Sequence, residues 1–92
     1  MLILENRVYV GVDVNFDVYG RMIPLNIKWE DGAVYHIDKV TDVRQAYASK
    51  SGGQGDRYTV VINGRSKYLY FERSAAINGD IVGCWFVERH VS

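Results

Sequence analysis

Along the first third of the chain, apolar residues occupy every second position. Val8, Val10, Val12, Val14 and Phe16 alternate with polar or small residues, and after Asp17-Val18-Tyr19-Gly20 the alternation resumes at Ile23, Leu25, Ile27 and Trp29. A period of two is that of a β-strand, whose successive side chains point to opposite faces. With the four intervening residues as the turn, Val14 faces Ile23, Val12 faces Leu25, Val10 faces Ile27 and Val8 faces Trp29. Every apolar side chain then lies on one side of a hairpin. The pattern constrains the fold class tightly and says little about chemistry.

The next turn tests the register. A two-residue turn at Asp31-Gly32 would set Ile27 against His36 and Leu25 against Asp38, which buries charge. A three-residue loop, Glu30-Asp31-Gly32, with Gly32 left-handed, instead pairs Ile27 with Tyr35 and Leu25 with Ile37. Beyond Ile37 the alternation slips, because Val40 is out of phase with Tyr35 and Ile37 and with Val43. The third strand is therefore expected to bend near Asp38 to Val40. Pro24 would lie beside that bend, and a proline cannot donate to a ladder, so pairing is expected to be interrupted there.

Residues 49–55, Ser-Lys-Ser-Gly-Gly-Gln-Gly, contain no apolar side chain and read as a flexible loop. A third hairpin follows: Arg57 to Ile62, a turn around Asn63-Gly64 in a loop of two residues or of four, which give the same faces, then Lys67 to Arg73. Its phase sends Tyr58, Val60, Ile62, Leu69 and Phe71 inward, and Arg57, Thr59, Tyr68, Tyr70 and Glu72 outward. Ser74 to Gly79 reads as one helical turn or an irregular loop. The last strand, from Asp80 or Ile81 to Arg89, is apolar on both faces, so both are expected to be covered.

Six strands joined mostly by short turns make an all-β chain, an antiparallel meander curling into a small barrel. An SH3-like barrel is the first expectation; an open or split barrel and a six-stranded sandwich are the alternatives. Ninety-two residues make a single domain, 1–92. The run Met1-Leu2-Ile3-Leu4 is too short, and lacks the basic flank, to be expected as a signal peptide or membrane span.

Charge and cysteine usage narrow the function classes. Eleven basic residues balance eleven acidic ones, so nothing draws the whole chain to a polyanion, and a nucleic-acid role would need a local patch. The single cysteine, Cys84, permits no internal disulfide and points to a reducing cytoplasm. Flanked by Val82, Trp85 and Phe86, it is expected to be buried and inert.

Catalytic and cofactor signatures are weak. The glycines at 52, 53 and 55, beside Lys50 and Arg57, do not form a phosphate-binding loop, since neither G-x-x-x-x-G-K-[ST] nor G-x-G-x-x-G is present. Gly52, Gly53 and Gly55 stay as a contact loop, because function concentrates in loops. His36, Asp38 and Asp42 could begin a metal site, with His36 and Asp38 on one strand face, but a stable site needs more ligands and a supporting shell. No metal, cofactor or catalytic group is expected, and an enzyme is not the expectation.

The outward face of the third hairpin is the best candidate site. Arg57, Tyr68 and Tyr70, with Arg44 and Lys67 near them, interleave cations and aromatic rings. That composition serves protein interfaces and also stacks bases and neutralises phosphates. It also stabilises an exposed sheet face with no partner at all.

The run W-E-D-G-A-V-Y-H-I-D-K-V-T-D-V-R at Trp29 to Arg44, G-G-Q-G-D-R-Y-T-V at Gly52 to Val60 and W-F-V-E at Trp85 to Glu88 resemble a group of short Gram-positive bacterial proteins of unknown function, often found near mobile elements. The resemblance implies a bacterial cytoplasmic protein and carries over no catalytic or binding residue. Together these readings lead to a non-enzymatic binding module that contacts another protein or its own copy. A nucleic-acid binder using Arg57, Tyr68 and Tyr70 is the alternative, and no membrane role is expected.

Overall fold

The structure, a computed structural model, describes residues 4–47, 54–74, 79 and 81–91. Its strands are β1 (Leu4–Phe16), β2 (Met22–Lys28), β3 (Val34–His36), β4 (Lys39–Tyr47), β5 (Gln54–Ile62), β6 (Arg65–Arg73) and β7 (Gly83–Val91). All pair antiparallel in one sheet of order β3-β2-β1-β7-β6-β5-β4, curled into a half-barrel. The expected all-β meander is present, with seven strands where six were expected. The extra strand arises because the third one breaks in two.

That break joins the two edges of the sheet. β3 and β4 lie at opposite ends of the strand order yet follow each other in the chain. The Ile37 N–H donates to the Leu25 carbonyl (2.9 Å), and the Asp38 N–H donates to the Val61 carbonyl (2.8 Å). Consecutive residues thus bond to β2 and β5, and the corner expected near Asp38 is where the sheet turns back on itself. A further slip in the β4–β5 ladder falls between Val40 and Asp42.

Turn chemistry sets two registers, the first as expected and the second from the two loop lengths that the phase allows. Gly32 takes a φ of 91°, open only to glycine at low cost, and β2 pairs with β3 as Ile27↔Tyr35. Asn63 and Gly64, with φ of 52° and 76°, form a two-residue turn, and β5 pairs with β6 as Ile62↔Arg65.

The opening hairpin differs from its expected register. Val14 lies opposite Pro24 because the turn takes five residues, Asp17 to Arg21, with Phe16 opposite Met22, and Val12 lies opposite Ile27 because the ladder slips by one more residue between them. Pro24 offers no N–H to β1, and Leu25 becomes the extra residue of a bulge, 41% exposed instead of packed. Val8 pairs with Val87 of β7 and not with β2.

The concave side holds the core, in which Tyr58, Val60, Ile62, Leu69, Phe71 and Trp85 are buried with Ile27 and Ile37. Each inward residue expected on the third hairpin is among them. Tyr58 and Phe71 tilt against Trp85 at centroid distances of 5.1 and 4.9 Å. The Tyr58 hydroxyl donates to the Met22 carbonyl (3.1 Å), linking β5 to β2 across the barrel.

Two expectations about particular residues are corrected. Gly55 is not in a loop but in β5, opposite Glu72, and a Cβ there would collide with the Phe71 carbonyl. Residues 49–53, with Gly52 and Gly53, lie outside the described residues, as does most of the turn expected at Ser74 to Gly79. Cys84 is exposed, not buried: it sits opposite Glu72 near the start of β7 on the convex face, beyond the aromatic cover.

Candidate functional site: the convex aromatic face

The convex face carries one row of residues across five strands. Arg44 of β4 lies opposite Arg57, Arg57 opposite Tyr70, Tyr70 opposite Phe86, and Phe86 opposite Tyr9 of β1. Side chains that share a face at cross-strand spacing are close enough to interact. Here they do.

The Tyr70 ring stacks on Phe86 at 5.1 Å with 7° between planes, and Tyr9 tilts onto Phe86 from the other side at 5.7 Å. The Arg7 guanidinium lies 4.5 Å from the Phe86 ring centroid and donates from Nη1 to Glu72 Oε2 at 2.8 Å. Its hydrogen bond to Tyr9, then the Glu72 carboxylate, hold its pKa above the ordinary guanidinium value. Phe86 is left only 2% exposed, although it points away from the core.

Arg57 completes the patch. Its guanidinium lies 4.5 Å from the Tyr68 ring centroid, and its Nε is buried without a hydrogen-bond partner among the described residues. The cation rests against an aromatic ring, with no carboxylate paired to it among those residues. Tyr68 and Tyr9 are the accessible rings, at 52% and 54% exposure.

Of the residues read from the sequence, Arg57, Tyr68 and Tyr70 come together, Tyr70 as a cover for Phe86. Arg44 shares the face but donates from Nε to Asp42 (2.8 Å). Lys67 does not belong to the patch. It has the same phase as Leu69 and so points to the concave side, where it lines the open end of the barrel. Phe86, Tyr9 and Arg7 were missed. Their signal lay in the alternation itself, since Arg7 and Tyr9 interleave with Val8 and Val10.

The tentative metal residues disperse. The His36 ring hydrogen-bonds Asn26 (3.1 Å), Asp38 accepts from the Asn63 N–H (3.1 Å), and Asp42 binds Arg44. No group of three or more His, Cys, Asp or Glu side chains converges as a metal site among the described residues. No helix among them is long and apolar enough to cross a membrane. No protein-family model matches the chain, and neither a curated protein nor a solved structure matches it.

Proposed function

We propose that this chain is a binding module rather than a catalyst, and that it contacts another protein, a second copy of itself included, through the convex face around Tyr68, Arg57 and Tyr9. The observation that carries this reading is the half-exposed Tyr68 ring against the guanidinium of Arg57, which has no ionic partner among the described residues, with the half-exposed Tyr9 farther along the same face. Tyrosine and arginine supply large contact areas at low entropic cost and dominate the energetics of protein interfaces. A bacterial, cytoplasmic setting is part of the proposal, and a single exposed thiol fits it.

Charge favours protein over nucleic acid as the partner. Around the patch Arg7, Arg44 and Arg57 are matched by Asp42, Glu72 and Glu88, and Arg7 and Arg44 are already in ion pairs. A polyanion gains affinity by displacing counterions with uncommitted cations, and this face offers it few.

Sedimentation of the wild type and of Tyr68→Ala over a wide concentration range tests the copy as partner. A photo-crosslinker attached at Cys84, which lies on the same face, tests other proteins. Mass that rises with concentration in the wild type but not in the variant, or a crosslink that Tyr68→Ala removes, supports the reading. A strict monomer with no crosslink defeats it. Binding to mixed oligonucleotides that disappears between about 50 and 200 mM salt would establish the alternative.

A further inference from the structure

The sheet is incomplete between β6 and β7. Their ladder runs from Arg73↔Gly83 to Tyr70↔Phe86 and stops, yet both strands continue, β6 paired to β5 as far as Arg65 and β7 paired to β1 as far as Val91. The two strands part beyond Tyr70 and leave a cleft of about 1030 Å³ that opens into the concave side.

The backbone phase in this gap follows from the turn. In a two-residue hairpin the residues flanking the turn, Ile62 and Arg65, exchange hydrogen bonds, so Lys67 and Leu69 also bond to β5. The backbone N–H and C=O of the intervening residues point the other way. Those of Tyr70 and Glu72 meet β7, whereas Ser66 and Tyr68 direct theirs into the gap. By the same alternation Glu88 of β7 directs its own into the gap from the far side. Among the described residues these are free sheet edges, and a free edge accepts an added strand.

The walls of the cleft give the occupant its chemistry. Val60, Ile62 and Val87 make an apolar floor. Arg65, Lys67 and Arg89 stand around it, all exposed and none in an ion pair among the described residues, and Glu88 is the only carboxylate in the lining. The Arg89 guanidinium lies 5.9 Å from the Trp29 ring centroid at the mouth. In a chain of zero net charge, this is a local excess of uncommitted cations.

We propose that the cleft binds an extended acidic segment of a partner protein, which adds as a β-strand to the β6 edge at Ser66 and Tyr68. The inference goes beyond the convex-face contact and depends on different atoms. A single-stranded nucleic acid would match the cations but lacks the alternating donors and acceptors that the edge presents.

The probe is a capped heptapeptide with valine at its three central positions and glutamate at the other four. Strand alternation then places the central valine and two glutamates on one face, toward the floor and the cations. Titration followed by amide exchange is expected to protect the Ser66 and Tyr68 amides. Lys67→Glu combined with Arg89→Glu, both exposed positions, is expected to weaken binding by about tenfold. Methylating the peptide nitrogens that face β6 is expected to abolish the protection. Tyr9→Ala, on the convex face, leaves this binding unchanged, so loss of the convex contact and loss of the cleft read out separately. The proposal is overturned if those amides stay unprotected at millimolar peptide, if a lysine version binds as well, or if oligothymidine binds and the acidic peptide does not.

Discussion

Trp85 and Phe86 are neighbours in β7, and both are buried, but by different means. Trp85 points into the half-barrel, where the curvature of the sheet brings Tyr58 and Phe71 against it from β5 and β6. Phe86 points outward, where no second layer exists among the described residues, and its cover consists of the stacked ring of Tyr70, the tilted ring of Tyr9 and the guanidinium of Arg7. A cavity inside a curved sheet is closed by backbone, while one under surface side chains can be refilled when those chains lean inward. Burial on the concave side should therefore resist substitution less well than burial on the convex side, even though Phe86 is the less exposed of the two.

The largest expected effect tests that contrast directly. Trp85→Ala should destabilise by about 5 kcal/mol and Phe86→Ala by about 3 kcal/mol, since the cost of truncation depends on how far the site collapses. Urea unfolding measures both. If Trp85→Ala leaves too little folded protein, Trp85→Phe against Phe86→Leu preserves the comparison. A larger loss at Phe86 would mean that the convex cluster, and not the barrel interior, is the main source of stability.

A smaller effect belongs to the concave side alone. Burial raises the Tyr58 pKa above its ordinary value of 10.0, with the Asp56 charge adding to the shift. The neutral phenol is thus favoured in the folded state, and its contribution is complete below the unfolded value and lost as pH rises through the folded one. Tyr58→Phe should cost about 1 kcal/mol at neutral pH through the lost bond to the Met22 carbonyl. It should also remove part of the alkaline destabilisation, visible as a flatter dependence of the urea midpoint on pH. An unchanged alkaline profile would assign that instability to other groups.

The two sides were also unequally legible. The concave residues of β5 and β6 could be read from the sequence because a loop of two residues or of four around Asn63-Gly64 sends the same side chains inward. The bulged loop at Gly32 fixed the register of β2 and β3 outright. The opening hairpin departs from its expected register twice, because its turn holds five residues and not four, and because proline's missing N–H admits a bulge that a seemingly continuous alternation through Leu25 hides. The convex cluster was half legible. Arg57, Tyr68 and Tyr70 share one hairpin, but Phe86 and Tyr9 meet only through the pairing of the first strand with the last, and periodicity names no partner for a strand. The face of Lys67 was readable from its phase with Leu69, and Cys84 was misjudged from apolar neighbours that do not cover it.

The smallest effect lies outside both layers and separates them from the rest of the molecule. In the β1–β2 turn, Asp17 accepts hydrogen bonds from the Arg21 and Tyr19 N–H groups, both at 2.9 Å, and from Arg21 Nε at 2.6 Å. The bond from the Arg21 backbone, followed by its side chain and that of the Tyr19 N–H, holds the carboxyl below the usual aspartate value of 3.8. The carboxylate's contribution is therefore present above that value and disappears as pH falls through the depressed one. Protection of the Tyr19 and Arg21 amides, relative to their intrinsic exchange at each pH, should fall over that acid range and in Asp17→Asn at neutral pH, while the Trp85 indole NMR signal stays constant. If Trp85 responds together with the turn, the turn is coupled to the concave core, and the independence of the two buried sites would have to be sought elsewhere than in the geometry of the sheet.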